Sequence, residues 1–234
     1  MALILNIETA TDICSVALSK NGELLSLQEE KEGRSHAALL TTLMNRCFLE
    51  TGLNLSDLQA VAVSKGPGSY TGLRIGVASA KGLCYALDIP LISVNTLQSM
   101  AANFMIQFPD THETLLCPMI DARRMEVYMA FFDTKLNFTR ETTATILEAD
   151  FFKSMLNRQK IAFFGDGMPK LKELIGLQEN SRFEPNVLPS ANGMIKFSET
   201  SYNSGVFESV AYFEPFYLKD FFDSKQPDKS VFRQ

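Results

Sequence analysis

Apolar and polar residues alternate along the first thirty positions in the manner of a β-meander. Leu3–Ile7 is an apolar run, Ile13–Ser19 alternates, and Leu24–Glu30 follows. Asn21-Gly22, between the second and third runs, is a strong hairpin signal, because both central residues of a type I′ turn need positive φ. The pattern therefore predicts three antiparallel strands joined by short turns.

From residue 36 the apolar positions recur with the period of a helix. They return every three or four residues through His36–Thr51, and Gly52 follows as a stop signal. The same reasoning predicts four more elements in the first half of the chain. These are the strand Ala60–Ser64, the helix Leu73–Leu87, the strand Pro90–Val94 and the helix Thr96–Gln107.

The second half of the chain repeats this pattern. Leu115–Asp121 is an apolar run that ends in a carboxylate, as the first run is followed by Glu8, and the two carboxylates are 113 positions apart. Two further strands follow in each half. The repeat predicts an α/β protein of two duplicated lobes, residues 1–110 and a smaller lobe 111–234, with a cleft between the acidic strand ends.

Other elements of the second half are predicted from similar signals. Pro169 fits the first turn of a helix, where the missing amide costs little. The last residues are polar enough to predict a loose tail. The predicted segments are the strands Glu126–Phe132, Phe138–Ile146 and Lys160–Phe164, the helices Met168–Ile175 and Ser190–Thr200, the aromatic run Glu214–Leu218 and the tail Lys219–Gln234.

Composition excludes several classes of protein. The 234 residues carry a formal charge of −5, which argues against a free-standing nucleic-acid binder, because such proteins present a basic face. No apolar run approaches the roughly 20 residues that a membrane span needs. The N-terminal residues lack the basic region of a signal peptide. We therefore expect a soluble, cytoplasmic protein without a membrane segment.

The cysteines and histidines give no metal-binding or catalytic pattern. The four cysteines form no CxxC pair, and buried free thiols are the expectation. The two histidines, His36 and His112, lie in no HExxH spacing, and no G-x-S-x-G elbow is present. We therefore predict neither a metal site nor a catalytic Ser/His pair.

A glycine-rich loop joins a predicted strand to a predicted helix. Its glycines and the following helix N-terminus could hold an anion, although the spacing is neither Walker A nor GxGxxG. The alternative is a tight turn with Ser69 or Thr71 as N-cap. The residues of this candidate site are Lys65, Gly66, Pro67, Gly68, Ser69, Tyr70, Thr71 and Gly72.

Two helix faces and two carboxylates are also candidates. The small residues Gly72, Gly76 and Ala80 allow close approach of the same lobe or of another chain. The wide apolar stripe of the preceding helix predicts either core packing or a subunit interface. Its interface candidates are Leu39, Leu40, Leu43, Met44 and Cys47.

Glu8 and Asp121 are the carboxylates that end the two equivalent strands. In a two-lobed ATPase such residues face Mg²⁺ and phosphate. The turns that follow them here contain no glycine to wrap a phosphate. A turn or capping role, or pairing of Asp121 with Arg123 or Arg124, is at least as well supported.

Several segments together resemble the TsaB family, also called YeaZ. The most specific is Lys65–Gly76, which includes Arg74. The others, in the order expected of that family, are Leu5–Thr11, Cys14–Leu18, Arg34–Ala37, Asp121–Tyr128, Phe164–Gly167 and Glu214–Leu218. One departure is Glu8, where the family more usually has Asp.

The resemblance implies an actin-like (ASKHA) fold and a role in making N6-threonylcarbamoyladenosine at position 37 of tRNAs. It implies a non-catalytic subunit without the metal-binding histidines of the paralogue TsaD. Such a subunit supports TsaD, joins the small ATPase TsaE, reaches tRNA through the complex, and dimerises through the helices His36–Thr51 and Leu73–Leu87. No cofactor is expected on this chain alone, and ATP or ADP is expected at the complex interface.

Two alternatives come from other functional classes. One is a self-sufficient ASKHA ATPase or kinase that uses Glu8, Asp121 and the loop Gly66–Gly72. The sequence lacks the glycine-rich hairpin that binds phosphate in such enzymes, which argues against this alternative. The other is a metalloprotease, suggested by an older glycoprotease label and opposed by the lack of zinc ligands.

Overall fold

The first sheet is built from the meander and two parallel strands. The computed structural model describes residues 2–31 and 36–218; the predicted tail Lys219–Gln234 lies outside these ranges. The strands are β1 (Leu3–Glu8), β2 (Cys14–Lys20), β3 (Glu23–Glu30), β4 (Ala60–Gly66) and β5 (Leu91–Asn95), in the order β3-β2-β1-β4-β5. Asn21 and Gly22 both have positive φ, of 55° and 78°, which confirms the predicted turn.

The second sheet has the same topology as the first. Its strands are β6 (Thr114–Asp121), β7 (Glu126–Phe132), β8 (Phe138–Ile146), β9 (Lys160–Phe164) and β10 (Ser181–Glu184), in the order β8-β7-β6-β9-β10. In both sheets the first strand pairs antiparallel with the second and parallel with the fourth. The predicted duplication is confirmed.

Six α-helices connect and cover these strands. They are α1 (His36–Thr51), α2 (Tyr70–Leu87), α3 (Thr96–Gln107), α4 (Ala149–Leu156), α5 (Met168–Ile175) and α6 (Ile195–Asn203). The helices α1, α3 and α5 have the predicted bounds. Helix α2 begins three residues earlier than predicted because Ser69 caps it.

The two halves exchange helices across the molecule. One face of the first sheet packs on α1 and α2. Its other face, rich in alanine, is covered by Ala191, Met194 and Ile195 from the second half. Conversely, Leu97 and Phe104 of α3 pack against the second sheet. Each half of the chain therefore supplies the strands of one sheet, whereas α3 and α6 pack against the sheet of the other half.

The second half differs from the sequence analysis at three elements. Helix α4 and strand β10 were not predicted, because eight and four residues are too few to show a clear period. The predicted helix Ser190–Thr200 is instead a 3₁₀ turn, Ala191–Met194, followed by α6. The break lies at a close approach, where a Cβ on Gly193 would be 2.1 Å from the Ser99 carbonyl oxygen.

All four cysteines are free and buried, as predicted; they are Cys14, Cys47, Cys84 and Cys117. Burial raises the pKa of the Cys14 thiol to about 11, and the nearby Glu8 carboxylate contributes to this rise. Its thiol therefore stays protonated near neutrality. Within residues 2–31 and 36–218, no helix is both long and apolar enough to cross a membrane.

Candidate functional site

The glycine-rich loop between β4 and α2 is a tight turn stabilised within the chain. Ser69 Oγ accepts a hydrogen bond from the Gly72 amide at 3.2 Å. The Ser69 amide donates to the Ala10 carbonyl oxygen at 2.6 Å. Ser69 is therefore the N-cap of α2, as one of the two interpretations predicted, and these two amides are satisfied without a ligand.

Glycines of this loop and of α2 make room for the turn after β1. A Cβ on Gly68 would lie 2.2 Å from the Ala10 carbonyl oxygen, and a Cβ on Gly72 would lie 2.1 Å from the Thr9 carbonyl oxygen. A Cβ on Gly76 would lie 2.3 Å from Thr9 Oγ1. These glycines therefore allow residues 9 and 10 of the same chain to approach the loop and the start of α2 closely.

The start of the loop also holds the C-terminal part of the described chain. The Phe216 amide donates to the Lys65 carbonyl oxygen at 2.7 Å. A Cβ on Gly66 would lie 2.9 Å from the Phe216 carbonyl oxygen, so the two backbones are in close contact. The glycine loop and the aromatic run Glu214–Leu218 were predicted as separate features. In the structure they are in contact and form one unit.

Aromatic and cationic side chains extend this unit along α2. The rings of Tyr70 and Tyr217 are 5.1 Å apart. The Arg74 guanidinium lies 4.2 Å from the centre of the Tyr70 ring, and Arg74 Nε donates to Tyr217 Oη at 3.3 Å. Lys81 Nζ donates to the carbonyl oxygens of Ala211 and Phe213, each at 3.1 Å. Arg74 and Tyr70 therefore act here as anchors of the C-terminal segment.

Glu8 is enclosed in the protein at the end of β1. Its Oε1 accepts from the Ala10 amide at 2.7 Å, whereas Oε2 has no hydrogen-bond partner among the described residues. Burial raises the pKa of Glu8 to about 7, and the hydrogen bond from the Ala10 amide opposes that rise. Glu8 does not line an open cleft as the sequence suggested.

Asp121, the equivalent residue of the second sheet, lies in solvent. Its Oδ1 accepts from the Arg123 amide at 2.6 Å and from Lys170 Nζ at 2.6 Å. The predicted turn role is confirmed, but the ion pair is formed with Lys170, not with the side chain of Arg123 or Arg124. Glu8 and Asp121 therefore differ in environment and form no matched pair of carboxylates.

The residues chosen from the sequence as a subunit interface lie inside the first lobe. Each is less than a tenth exposed, because the apolar side chains cover the sheet and the two glycines lie against Thr9. They cannot supply an exposed contact surface, so this choice of residues is corrected. The buried set is Leu39, Leu40, Leu43, Met44, Cys47, Gly72, Gly76 and Ala80.

The described part of the chain brings no metal-ligand set together. Across residues 2–31 and 36–218, no group of three His, Cys, Asp or Glu side chains is placed to hold an ion.

Comparison with known proteins gives the family. The model of the family "TsaD: tRNA N6-adenosine threonylcarbamoyltransferase" matches residues 26–221. The TsaB protein of Escherichia coli K12 is 30% identical over 224 residues, which span 93% of this chain and 94% of that protein. This chain belongs to the TsaB/YeaZ family.

Solved structures show that this TsaB-family chain has the actin-like ASKHA fold. YeaZ from Pseudomonas aeruginosa is 26% identical and matches with a TM-score of 0.79, over 93% of this chain and all of that one. An activator of 2-hydroxyisocaproyl-CoA dehydratase from Clostridium difficile, solved with bound ADPNP, matches at 10% identity and a TM-score of 0.51, over 86% of this chain and 95% of that one. The second likeness concerns the fold alone.

In this TsaB-family chain, the outward sides of α1 and α2 carry exposed apolar groups. Leu49 on α1 is 84% exposed and Tyr85 on α2 is 86% exposed. Small residues, Ala78 and Gly82, lie exposed along α2 before Tyr85. The helices are neighbours whose inner sides share one core. These exposed groups lie on the side of each helix opposite to the residues chosen from the sequence, because a periodic apolar pattern identifies the buried face.

Proposed function

We propose that this chain is a non-catalytic subunit of tRNA threonylcarbamoyladenosine biosynthesis that binds a TsaD-like transferase. The observation that carries the proposal is its membership of the TsaB family, whose E. coli member is named for that biosynthesis. The match to the TsaD family model over residues 26–221 supports a relationship between the two chains. Related folds can pair through equivalent helices, much as two copies of one chain do.

The binding surface in this proposal is the outward face of α1 and α2, which we call the helical face and define by Ala38, Thr42, Asn45, Leu49, Ala78, Gly82 and Tyr85. All seven residues are exposed. Leu49 and Tyr85 supply the apolar contact area, and large aromatic side chains commonly dominate binding energies. The small residues beside them let helices of a partner approach closely. The same face serves a homodimer when the partner is absent.

The accessory role fits the surroundings of the first turn. Residues 9 and 10 lie against the start of α2, and Glu8 is enclosed behind them. These positions therefore lack the open space in which an ATPase of this fold would hold phosphates. The formal charge of −5 further supports contact with tRNA through the complex. A TsaE-like ATPase, and ATP or ADP at the interface between subunits, complete the proposed assembly.

Reconstitution tests the proposed role. We expect threonylcarbamoyl transfer to tRNA to require this chain together with the TsaD-like and TsaE-like proteins and the enzyme that makes threonylcarbamoyl-AMP. Omitting the chain should reduce product to background. Full transfer without it would contradict the proposal, and ATP turnover by the purified chain alone would instead favour a self-sufficient ATPase.

Charge substitutions test the helical face. Leu49→Arg and Tyr85→Arg should each weaken binding to the TsaD-like protein by about tenfold or more, because apolar anchors are replaced by charges that must be desolvated. Calorimetric titration measures this effect. Leu177→Arg is the matched control, since Leu177 is 78% exposed on the second lobe and should leave binding unchanged. If all three variants bound the TsaD-like protein with equal affinity, the helical face would not be the binding surface.

A further inference from the structure

A cavity of about 510 Å³ opens between the two halves of the molecule, away from the helical face. The ends of β4 and β5 and the start of α3 form one side, while β8, α6 and Phe216 form the other. Ligand sites in proteins commonly measure roughly 300–1,000 Å³, so the volume suits a small molecule. Neither the family comparison nor the proposed function assigns a ligand to this cavity.

Most polar groups around the cavity are already paired within the protein. Ser93 Oγ donates to Glu208 Oε1 at 2.6 Å. Asn95 Nδ2 donates to Thr142 Oγ1 at 3.1 Å, which joins the two halves at the cavity wall. These groups hold the wall in place and leave little hydrogen-bonding capacity for a ligand.

Glu141 and Ser201 line the cavity without a side-chain hydrogen bond among the described residues, and so does Lys65, which supplies positive charge to the lining. The Lys65 side chain is half-buried, and no described acceptor bonds its ammonium group. The Lys65 backbone is held by the hydrogen bond from the Phe216 amide, so the side chain starts from a fixed point. A partly desolvated ammonium group favours an anion, because a charged hydrogen bond there is stronger than one in open water.

Aromatic rings supply the remaining chemistry. Phe138, Phe197 and Phe216 line the same cavity and come from β8, α6 and the C-terminal segment. Phe138 is itself supported by Phe132, with ring centres 4.5 Å apart. Aromatic walls bind flat apolar rings by stacking and by excluding water. Glu141 on the same wall disfavours a ligand with several negative charges.

We propose that this cavity binds a small organic anion with an aromatic ring, whose single anionic group pairs with Lys65 while the ring packs among the three phenylalanines. Two segments that resemble the family, Lys65–Gly76 and Glu214–Leu218, thereby acquire a shared role, since each contributes one residue to the site. The site does not depend on the proposed function, because it shares no residue with the helical face.

A pair of fluorescent probes tests the proposal. 1-Anilinonaphthalene-8-sulfonate carries an aromatic ring system and one sulfonate, and N-phenyl-1-naphthylamine is its uncharged counterpart. We expect the sulfonate to bind at one molecule per chain. Lys65→Met should weaken sulfonate binding by about tenfold or more, the loss expected when a charged hydrogen bond is removed, and should leave the amine unaffected.

Two further variants separate this site from general probe binding. Lys196→Met is the matched control, because Lys196 lines a different cavity of about 300 Å³, and it should leave both probes unchanged. Phe216→Ala should weaken both probes. Circular dichroism of each variant checks that the fold is retained. Binding of several sulfonates per chain, or equal affinity in the wild type and Lys65→Met, would overturn the proposal.

Discussion

A Gly72→Ala variant is expected to lose about 3 kcal/mol in the free energy of unfolding, although alanine is the better helix former. The added Cβ would lie 2.1 Å from the Thr9 carbonyl oxygen, closer than any non-bonded contact allows. Thr9 follows β1 directly, and Glu8 at the end of that strand is paired with Ser15 of β2. The carbonyl therefore cannot move aside without disturbing the meander. Urea unfolding followed by circular dichroism measures the loss.

Gly82→Ala is the matched control on the same helix. Nothing lies within 4 Å of a Cβ at Gly82, and the position is exposed. Alanine there should raise the free energy of unfolding by up to about 1 kcal/mol, because glycine in a helix interior costs conformational entropy. The two variants should thus move stability in opposite directions. A loss of the same size at both positions would show that the contact with Thr9 is not the cause.

The second large effect concerns Glu8 and pH. Its pKa is about 7 in the folded protein against an ordinary value of 4.5. Below about pH 4.5 both states carry the proton, and Glu8 imposes no cost on folding. As the pH rises to 7, the unfolded chain ionises first and is favoured, so folding loses about 3 kcal/mol; above pH 7 the loss is constant. The sign is opposite to that of a salt-bridged carboxylate.

Glu8→Gln removes this ionisation and retains an oxygen for the Ala10 amide. Relative to the wild type, the variant should gain about 3 kcal/mol between about pH 4 and about pH 8. Free energies of unfolding across that range measure the gain. Glu173→Gln, on the exposed side of α5, controls for the general loss of one negative charge. A constant difference between Glu8→Gln and the wild type at all pH values would contradict a buried, proton-binding Glu8.

Local patterns were sufficient to predict most of the sheet structure. The turn at Asn21-Gly22 and the alternation beside it defined the first meander, and the recurrence at Asp121 defined the second. These features depend on neighbouring residues and on the two-residue period of a strand. The exchange of α3 and α6 depends on which distant faces fit together, and no local pattern encodes that choice.

The candidate site shows the same limit more sharply. Leu43 and Leu49 both belong to apolar positions of α1, yet one is buried and the other is 84% exposed. The sequence left open whether Gly72 and Gly76 face the same lobe or another chain. In the structure both glycines lie against Thr9 of the same lobe. Lys65 and Phe216 meet only because the chain returns to its first lobe.

That return has a consequence for synthesis on the ribosome. The alanine-rich face of the first sheet stays open until Ala191, Met194 and Ile195 arrive, near the end of the described chain. The nascent first half therefore exposes an apolar surface until residues 191–195 have been synthesised. Truncation before residue 191 removes the cover from that face, so a shortened chain is expected to be a substrate for chaperones and proteases.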